Sequence, residues 1–163
     1  MKNFMKGEHY RATGESEFHV SIEDYHTAKI SSSRIRLNQN HKKWTLHFNE
    51  IELQNIHNPS KKYTLYLTIH LGKNPEPGTY NTFFLYGPKF EIDLFSPDRF
   101  SDGSEIIIKR SRFYSGTVHL TQFQLTENGM ISGDFIFERK TETIKGKFHA
   151  ELKKSSFNFG MFK

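Results

Sequence analysis

The chain has 163 residues, a length typical of one domain with a substantial hydrophobic core, and we predict a single domain over residues 1–163. Only 35% of the residues are apolar, but 16 Phe, 7 Tyr and one Trp predict a core built largely from aromatic rings. The formal charge of +5 is spread evenly along the chain, and the absence of cysteine excludes disulfides, thiolate metal sites and cysteine nucleophiles.

Apolar and polar residues alternate along most of the chain, as is typical of antiparallel strands with one buried face. In chain order the pattern occurs at residues 18–22, 35–37, 44–48, 62–71, 90–94 and 144–152. The clearest example is the segment in which Tyr63, Leu65, Leu67, Ile69 and Leu71 share one face. The alternation therefore predicts which side of each strand is buried.

Two segments depart from strict alternation. Residues 105–109 contain three consecutive Ile, which favours a strand covered on both sides. In residues 117–125 the apolar positions change from even, at Val118 and Leu120, to odd, at Phe123 and Leu125. This switch of the buried face predicts a β-bulge near Thr121.

Turn residues separate these segments, and Asn128-Gly129 is the strongest hairpin signal. A short helix is compatible with residues 9–13 or 96–101, but no helical periodicity is sustained. Nine to ten short strands predict an all-β domain, either an antiparallel β-sandwich or a flattened barrel.

Several short motifs occur together along the chain: residues 4–12, Gly78-Thr79-Tyr80, residues 115–121, residues 131–135 and residues 144–148. In this order the chain resembles the small β-rich lipoproteins of unknown function from Bacteroidetes and related Gram-negative bacteria. The resemblance implies a bacterial β-sandwich at the cell envelope and implies no reaction. The chain departs from that family because it shows neither a signal peptide nor a lipid-accepting cysteine, so it is either a trimmed mature form or a convergent sequence.

Known catalytic motifs are absent from the sequence, and we predict that the protein is not an enzyme and needs no cofactor. Glu91 and Asp93 share one strand face, but alternate acids on a strand are typical of its solvent side. Five of the nine His lie on polar strand faces, which indicates surface histidines rather than a metal site: His19, His47, His70, His119 and His149.

Two groups of cations are candidate anion-binding sites: Lys109, Arg110 and Arg112 in one, and Arg34 and Arg36 with Lys42 and Lys43 in the other. With nearby aromatic residues such as Tyr66, Phe113 and Tyr114 they permit binding of single-stranded nucleic acid or another polyanion. That interpretation is an alternative, because the sequence lacks a basic stripe or an RNA-recognition motif.

The remaining predictions concern ligands and partners. A barrel holding a small apolar ligand is a second alternative, since the aromatic content suits either a lined cavity or a solid core. The apolar C-terminus, with Phe157, Phe159 and Phe162, is a candidate strand for its own sheet or for a partner contact. We predict no transmembrane segment.

Our main hypothesis is a non-catalytic binding or interaction module for an unknown protein or small-molecule ligand, serving as an envelope accessory protein. The sequence does not indicate an oligomeric state. The compartment is the periplasm or cell envelope for a trimmed form and the cytoplasm otherwise.

Overall fold

The computed structural model describes residues 8–28, 34–82, 89–111 and 115–154. Every regular secondary-structure element in these ranges is a strand. None of the described residues forms a helix that could span a membrane. The strands are β1 (His9–Ile22), β2 (Tyr25–Thr27), β3 (Arg34–Asn40), β4 (Lys43–Asn55), β5 (Asn58–Gly72), β6 (Gly78–Thr82), β7 (Lys89–Arg99), β8 (Glu105–Ser111), β9 (Ser115–Phe123), β10 (Met130–Arg139) and β11 (Glu142–Lys154).

The strands form one antiparallel sheet in the order β6-β9-β10-β11-β1-β2-β4-β5-β7-β8. Like β2, the strand β3 pairs with both β1 and β4. The prediction of an all-β antiparallel fold is therefore confirmed. Within the described ranges the sheet has eleven strands rather than nine to ten, because the three-residue β2 and the five-residue β6 are too short to show alternation.

Aromatic rings show that this sheet curls back on itself. The rings of Phe90 in β7 and Phe137 in β10 stack with centroids 3.8 Å apart. In sheet order these two strands are separated by β11, β1, β2, β4 and β5, so they meet only if the two ends of the sheet face each other. The architecture is thus a β-sandwich or flattened barrel with one shared core.

The predicted burial pattern agrees with the structure. In β5, Tyr63, Leu65, Leu67 and Ile69 are buried and Leu71 is half-buried, while Tyr66 on the opposite face is exposed. In β11 every second residue from Ile144 to Leu152 is buried. Period-two alternation was sufficient here because each strand has one face on the core and one in water.

One buried position in β11 carries no side chain. Gly146 pairs with Phe18 on one side and Phe135 on the other. A Cβ atom at Gly146 would lie 2.3 Å from Cζ of Phe135 and 2.9 Å from Cδ1 of Phe18. The two rings therefore occupy the space that a side chain would need, and glycine is required for this close approach.

The bulge predicted near Thr121 is present. Gln122 pairs with Ser132, but Leu120 pairs with Gly133, so β9 contains one residue more than β10 at this point. The extra residue is Thr121, which is exposed. The switch of buried positions from even to odd located the bulge correctly, because a bulge reverses the alternation of the residues that follow.

The prediction that residues 105–109 are covered on both sides is wrong. Ile107 and Ile108 are 43% and 37% exposed. Their strand, β8, lies at one end of the described sheet and pairs with β7 alone. Three consecutive apolar residues show no alternation between the two faces of a strand, so the sequence did not reveal that this strand lies at an edge.

The two candidate helices are also strands, since residues 9–13 lie in β1 and residues 96–99 in β7. Pro97 falls where the pairing of β7 with β8 is irregular, so its missing N–H disrupts no regular ladder.

The Asn128-Gly129 hairpin forms with a longer loop than predicted. Asn128 has a positive φ of 65°, and Gly129 is buried where a side chain would meet the carbonyl oxygen of Gln124.

Candidate functional site

A groove runs over the outer face of β9, β10, β11 and β1. One hollow has a volume of about 700 Å³, and its lining includes Glu15, Glu17, Asp134, Lys147, His149 and the buried Ser132. We call the surface formed by these six residues the outer groove. A second hollow of about 320 Å³ adjoins it through Glu17, Asp134 and Lys147, and a third of about 700 Å³ adjoins the second through His19 and Lys145.

The strand register aligns the groove residues in two rows. Glu15 of β1 lies opposite His149 of β11, which lies opposite Ser132 of β10. In the next row Glu17 lies opposite Lys147, which lies opposite Asp134. Side chains directly opposite each other on one sheet face are close enough to interact, so each row forms a continuous polar strip across three strands.

Three side chains in the first row form a hydrogen-bonded chain. The Ser132 hydroxyl donates to Oε1 of Gln122 over 2.9 Å, and its oxygen lies 2.5 Å from Nδ1 of His149. Ser132 has one proton and donates it to Gln122, so Nδ1–H of His149 donates to Ser132. In neutral His149 this tautomer leaves Nε2 as an acceptor. Residue types alone gave no signal for this cluster, because its members belong to three strands.

The charges of the outer groove are only partly balanced. Nζ of Lys147 lies 3.1 Å from Oε2 of Glu17, and the hydrogen bond from Lys147 lowers the pKa of Glu17. Glu15 and Asp134 have no hydrogen-bond or ion-pair partner among the described residues. The groove therefore presents two uncompensated carboxylates next to an ordered hydroxyl and imidazole.

Nε2 of His19 lies 3.7 Å from Glu17 of the outer groove, and three other histidines have separate partners. His47 lies 3.3 Å from the Thr68 hydroxyl, Nε2 of His70 lies 3.4 Å from Glu91, and Nδ1 of His119 lies 2.7 Å from the Thr79 hydroxyl. Within the part of the chain that the structure describes, no three His, Asp or Glu side chains are placed to hold a metal ion.

His47 should make the stability of the fold pH-dependent. Burial lowers its pKa below the usual 6.5, helped by the positive charges of His70 and Arg36 and opposed by Glu91. The unfolded chain then binds a proton at higher pH than the folded chain, so the free energy of unfolding should fall as the pH drops below about 6.5. In urea denaturation between about pH 7 and about pH 5, His47→Gln should flatten this decrease.

The matched control is His41→Gln, because His41 is exposed in the turn between β3 and β4 and has no ion-pair partner among the described residues. It should leave the pH dependence close to that of the wild type. A slope unchanged by His47→Gln, or reduced equally by both variants, would contradict the assignment.

The predicted anion-binding cations of β8 have acidic partners within the chain. Nζ of Lys109 lies 2.8 Å from Glu142 and 2.7 Å from Glu23. Burial acts to lower the pKa of Lys109, but hydrogen bonds to both carboxylates outweigh it, so the pKa is raised. Nε of Arg110 donates to Asp93 over 2.7 Å, which raises the pKa of Arg110. Both positive charges are therefore compensated locally.

The second predicted group is spread along β3. Arg34 lies at its first residue, and its side chain is outside the described part of the structure. Arg36 is exposed and has no ion-pair partner among the described residues. Lys42 in the following turn and Lys43 at the start of β4 lie at the far end of this strand, about 20 Å from the Arg34 backbone at the strand rise per residue. This group does not form a compact cluster.

Some predicted site residues fall outside the described ranges: Arg112, Phe113, Tyr114, Phe157, Phe159 and Phe162. The exposed aromatic Tyr66 is described, and its ring packs against that of Phe95 with centroids 5.3 Å apart. Glu91 and Asp93 both have basic partners, His70 and Arg110 respectively, which fits a solvent-facing strand side better than a carboxylate pair for catalysis.

Comparison with known proteins found no similarity: no protein-family model, no curated protein and no solved structure matches this chain.

Proposed function

We propose that the protein is a non-catalytic binding module that accepts an extended polar ligand in the outer groove. The observation that carries the proposal is a row of three hollows, of which the first and second share Glu17, Asp134 and Lys147 and the second and third share His19 and Lys145. A groove of this length suits a ligand that lies across several strands. Its unpaired carboxylates favour a ligand with positively charged or hydrogen-bond-donating groups.

The polar chemistry of the groove supports binding rather than catalysis. A serine nucleophile needs a base that withdraws its proton, but the Ser132 proton is directed at Gln122 and His149 is the donor to Ser132. Glu17 has a lowered pKa and an exposed salt-bridge partner, whereas a general acid at neutral pH needs a raised one. These side chains are suited to holding a ligand by hydrogen bonds.

The two alternative functions have less support. The β8 cations that would contact a polyanion are already paired with Glu23, Glu142 and Asp93. An apolar ligand inside the barrel would compete with the Phe48 ring, which packs against those of Phe18, Phe135 and Phe148 at centroid distances of 5.2 to 5.5 Å. A role as an accessory protein of the cell envelope also belongs to the proposal, and it rests on the sequence resemblance alone.

The proposal can be tested with two defined probes, a pentalysine peptide and a neutral glucose hexasaccharide, followed by amide chemical shifts in the full chain. We expect at least one probe to perturb the amides of Glu15, Ser132, Asp134 and His149 in a saturable manner. For a cationic ligand the double variant Glu15→Gln/Asp134→Asn should weaken binding at least about tenfold, because two carboxylates of the groove are lost.

The matched control is Glu76→Gln, since Glu76 is an exposed acid in the loop between β5 and β6. This variant should bind as the wild type does. Shifts confined to β7 and β8, or no saturable shift in the outer groove with either probe, would contradict the proposed function.

A further inference from the structure

The row of three hollows carries a different charge at each of its ends. It runs obliquely from β10 at the first hollow to β2 at the third, and it follows β1 from Glu15 through Glu17 to His19. Among the described residues the first hollow is lined by three acids, one lysine and one histidine. None of the described residues that line the third hollow is acidic. The charge of the lining therefore changes from negative to positive along the row.

The acidic end consists of the carboxylates of Glu15 and Asp134. Glu15 pairs with His149, and Asp134 lies two residues beyond Ser132, which is the other cross-strand neighbour of His149. Neither carboxylate has a hydrogen-bond or ion-pair partner among the described residues. Both carboxylates accept hydrogen bonds, as does Nε2 of neutral His149, so this end suits an ammonium group.

The middle of the row carries no net charge. Glu17 lies 3.1 Å from Nζ of Lys147 and 3.7 Å from Nε2 of His19. The charge of Glu17 is balanced by Lys147 alone when His19 is neutral. The middle therefore offers polar groups to an uncharged part of a ligand.

The basic end consists of Lys145 and His26. Lys145 is exposed and forms no ion pair within the described ranges, Glu138 of the neighbouring β10 included. His26 lies opposite Ser21 of β1 and lines the same hollow from β2. Both side chains can donate hydrogen bonds, and Lys145 adds a positive charge, so this end suits a carboxylate.

The distance between the two ends sets the length of a ligand that reaches both. His19, which pairs with Lys145, is four residues from Glu15 on β1, or about 13 Å at the strand rise. Ser21, opposite His26, is about 20 Å from Glu15. A fully extended peptide of five residues spans about 17 Å. Its two charged termini can therefore reach the two ends while its peptide groups lie over the neutral middle.

We propose that the ligand of this groove is a short zwitterionic peptide of about five residues, with its amino terminus at the acidic end and its carboxyl terminus at the basic end. This inference rests on the proposed function and adds to it the charge, the length and the direction of the ligand. Either end alone would accept a simple ion. The two ends at this spacing are complementary to opposite charges on one extended molecule.

Pentaserine with free termini provides the probe, titrated against the full chain at about 10 mM ionic strength and followed by amide chemical shifts. Two blocked forms separate the termini, since N-acetylation removes the ammonium charge and C-amidation removes the carboxylate charge. Each block should weaken binding at least about fivefold, because it removes one of the two complementary charges.

Variants of the chain assign each terminus to one end of the row. In Lys145→Gln, amidation of the peptide should lose most of its effect, whereas acetylation should keep its full effect. In Glu15→Gln/Asp134→Asn this pattern should be reversed. The matched control is Lys73→Gln, because Lys73 is an exposed lysine in the loop between β5 and β6. This control should respond to both blocks as the wild type does.

Equal binding of the free and blocked peptides would overturn this inference, as would a Lys145→Gln variant that responds to both blocks like the wild type. If no form of pentaserine binds while pentalysine or the glucose hexasaccharide perturbs the outer groove, this inference fails and the proposed function stands. If none of the probes binds in the groove, both fail.

Discussion

Replacing Gly146 with alanine should lower the free energy of unfolding by about 3 kcal/mol, because the added methyl group has no room. Its Cβ atom would lie 2.3 Å from Cζ of Phe135 and 2.9 Å from Cδ1 of Phe18, far inside van der Waals contact. Alanine in a strand interior ordinarily stabilises relative to glycine, so the expected sign is opposite to the backbone effect. Chemical denaturation followed by circular dichroism would measure the change.

A double variant shows whether the ring of Phe135 causes this loss. Phe135→Leu alone should destabilise moderately, but in Gly146→Ala/Phe135→Leu the smaller side chain frees space for the methyl group. The double variant should then be at least about 1 kcal/mol more stable than the sum of the single effects predicts. Additive effects, or a neutral Gly146→Ala, would mean that the ring does not occupy the space beside residue 146.

Phe48→Ala should cost about 4 kcal/mol, the largest single truncation effect we expect. The Phe48 side chain is fully buried, and its ring packs against Phe18, Phe135 and Phe148 with centroids 5.2, 5.5 and 5.4 Å away. Truncation removes these ring contacts and leaves a cavity between the two sides of the folded sheet. Since whole domains are stable by about 5 to 15 kcal/mol, the variant should unfold at a markedly lower denaturant concentration.

Tyr66→Ala is the matched control, because Tyr66 is also a strand aromatic but is 38% exposed on the outer face. Its loss should cost about 1 kcal/mol, mainly from the contact with Phe95. Equal costs for the two variants would show that the inner and outer faces of the sheet have been assigned incorrectly.

The sequence predicted best those features that depend on alternation along one strand. The faces of β5 and β11 followed from period two, and the bulge at Thr121 followed from the point where the parity of Leu120 and Phe123 changes. Alternation identifies the buried face of a strand, but it does not say which strand lies beside it.

Features that depend on neighbouring strands were not predictable in this way. The exposure of Ile107 results from the edge position of β8, and the contact between Ser132 and His149 results from the register of β10 against β11. Ser132 and His149 are 17 residues apart, and no local pattern links them. The outer groove and the pairing of Lys109 with Glu142 depend on the same long-range order.

The pairing of β1 with β11 has a consequence for the order in which the chain folds. Tyr10 lies opposite Lys154, so the longest ladder among the described residues joins β1 to β11. A nascent chain on the ribosome has to expose β11 completely before β1 acquires this neighbour, and until then β1 has one open side that other nascent chains can contact. Contacts of such sequence separation also slow the search for the native topology. Synthesis thus passes through a stage in which aggregation competes with closure of the sheet, and the stage ends once β11 is available to pair with β1.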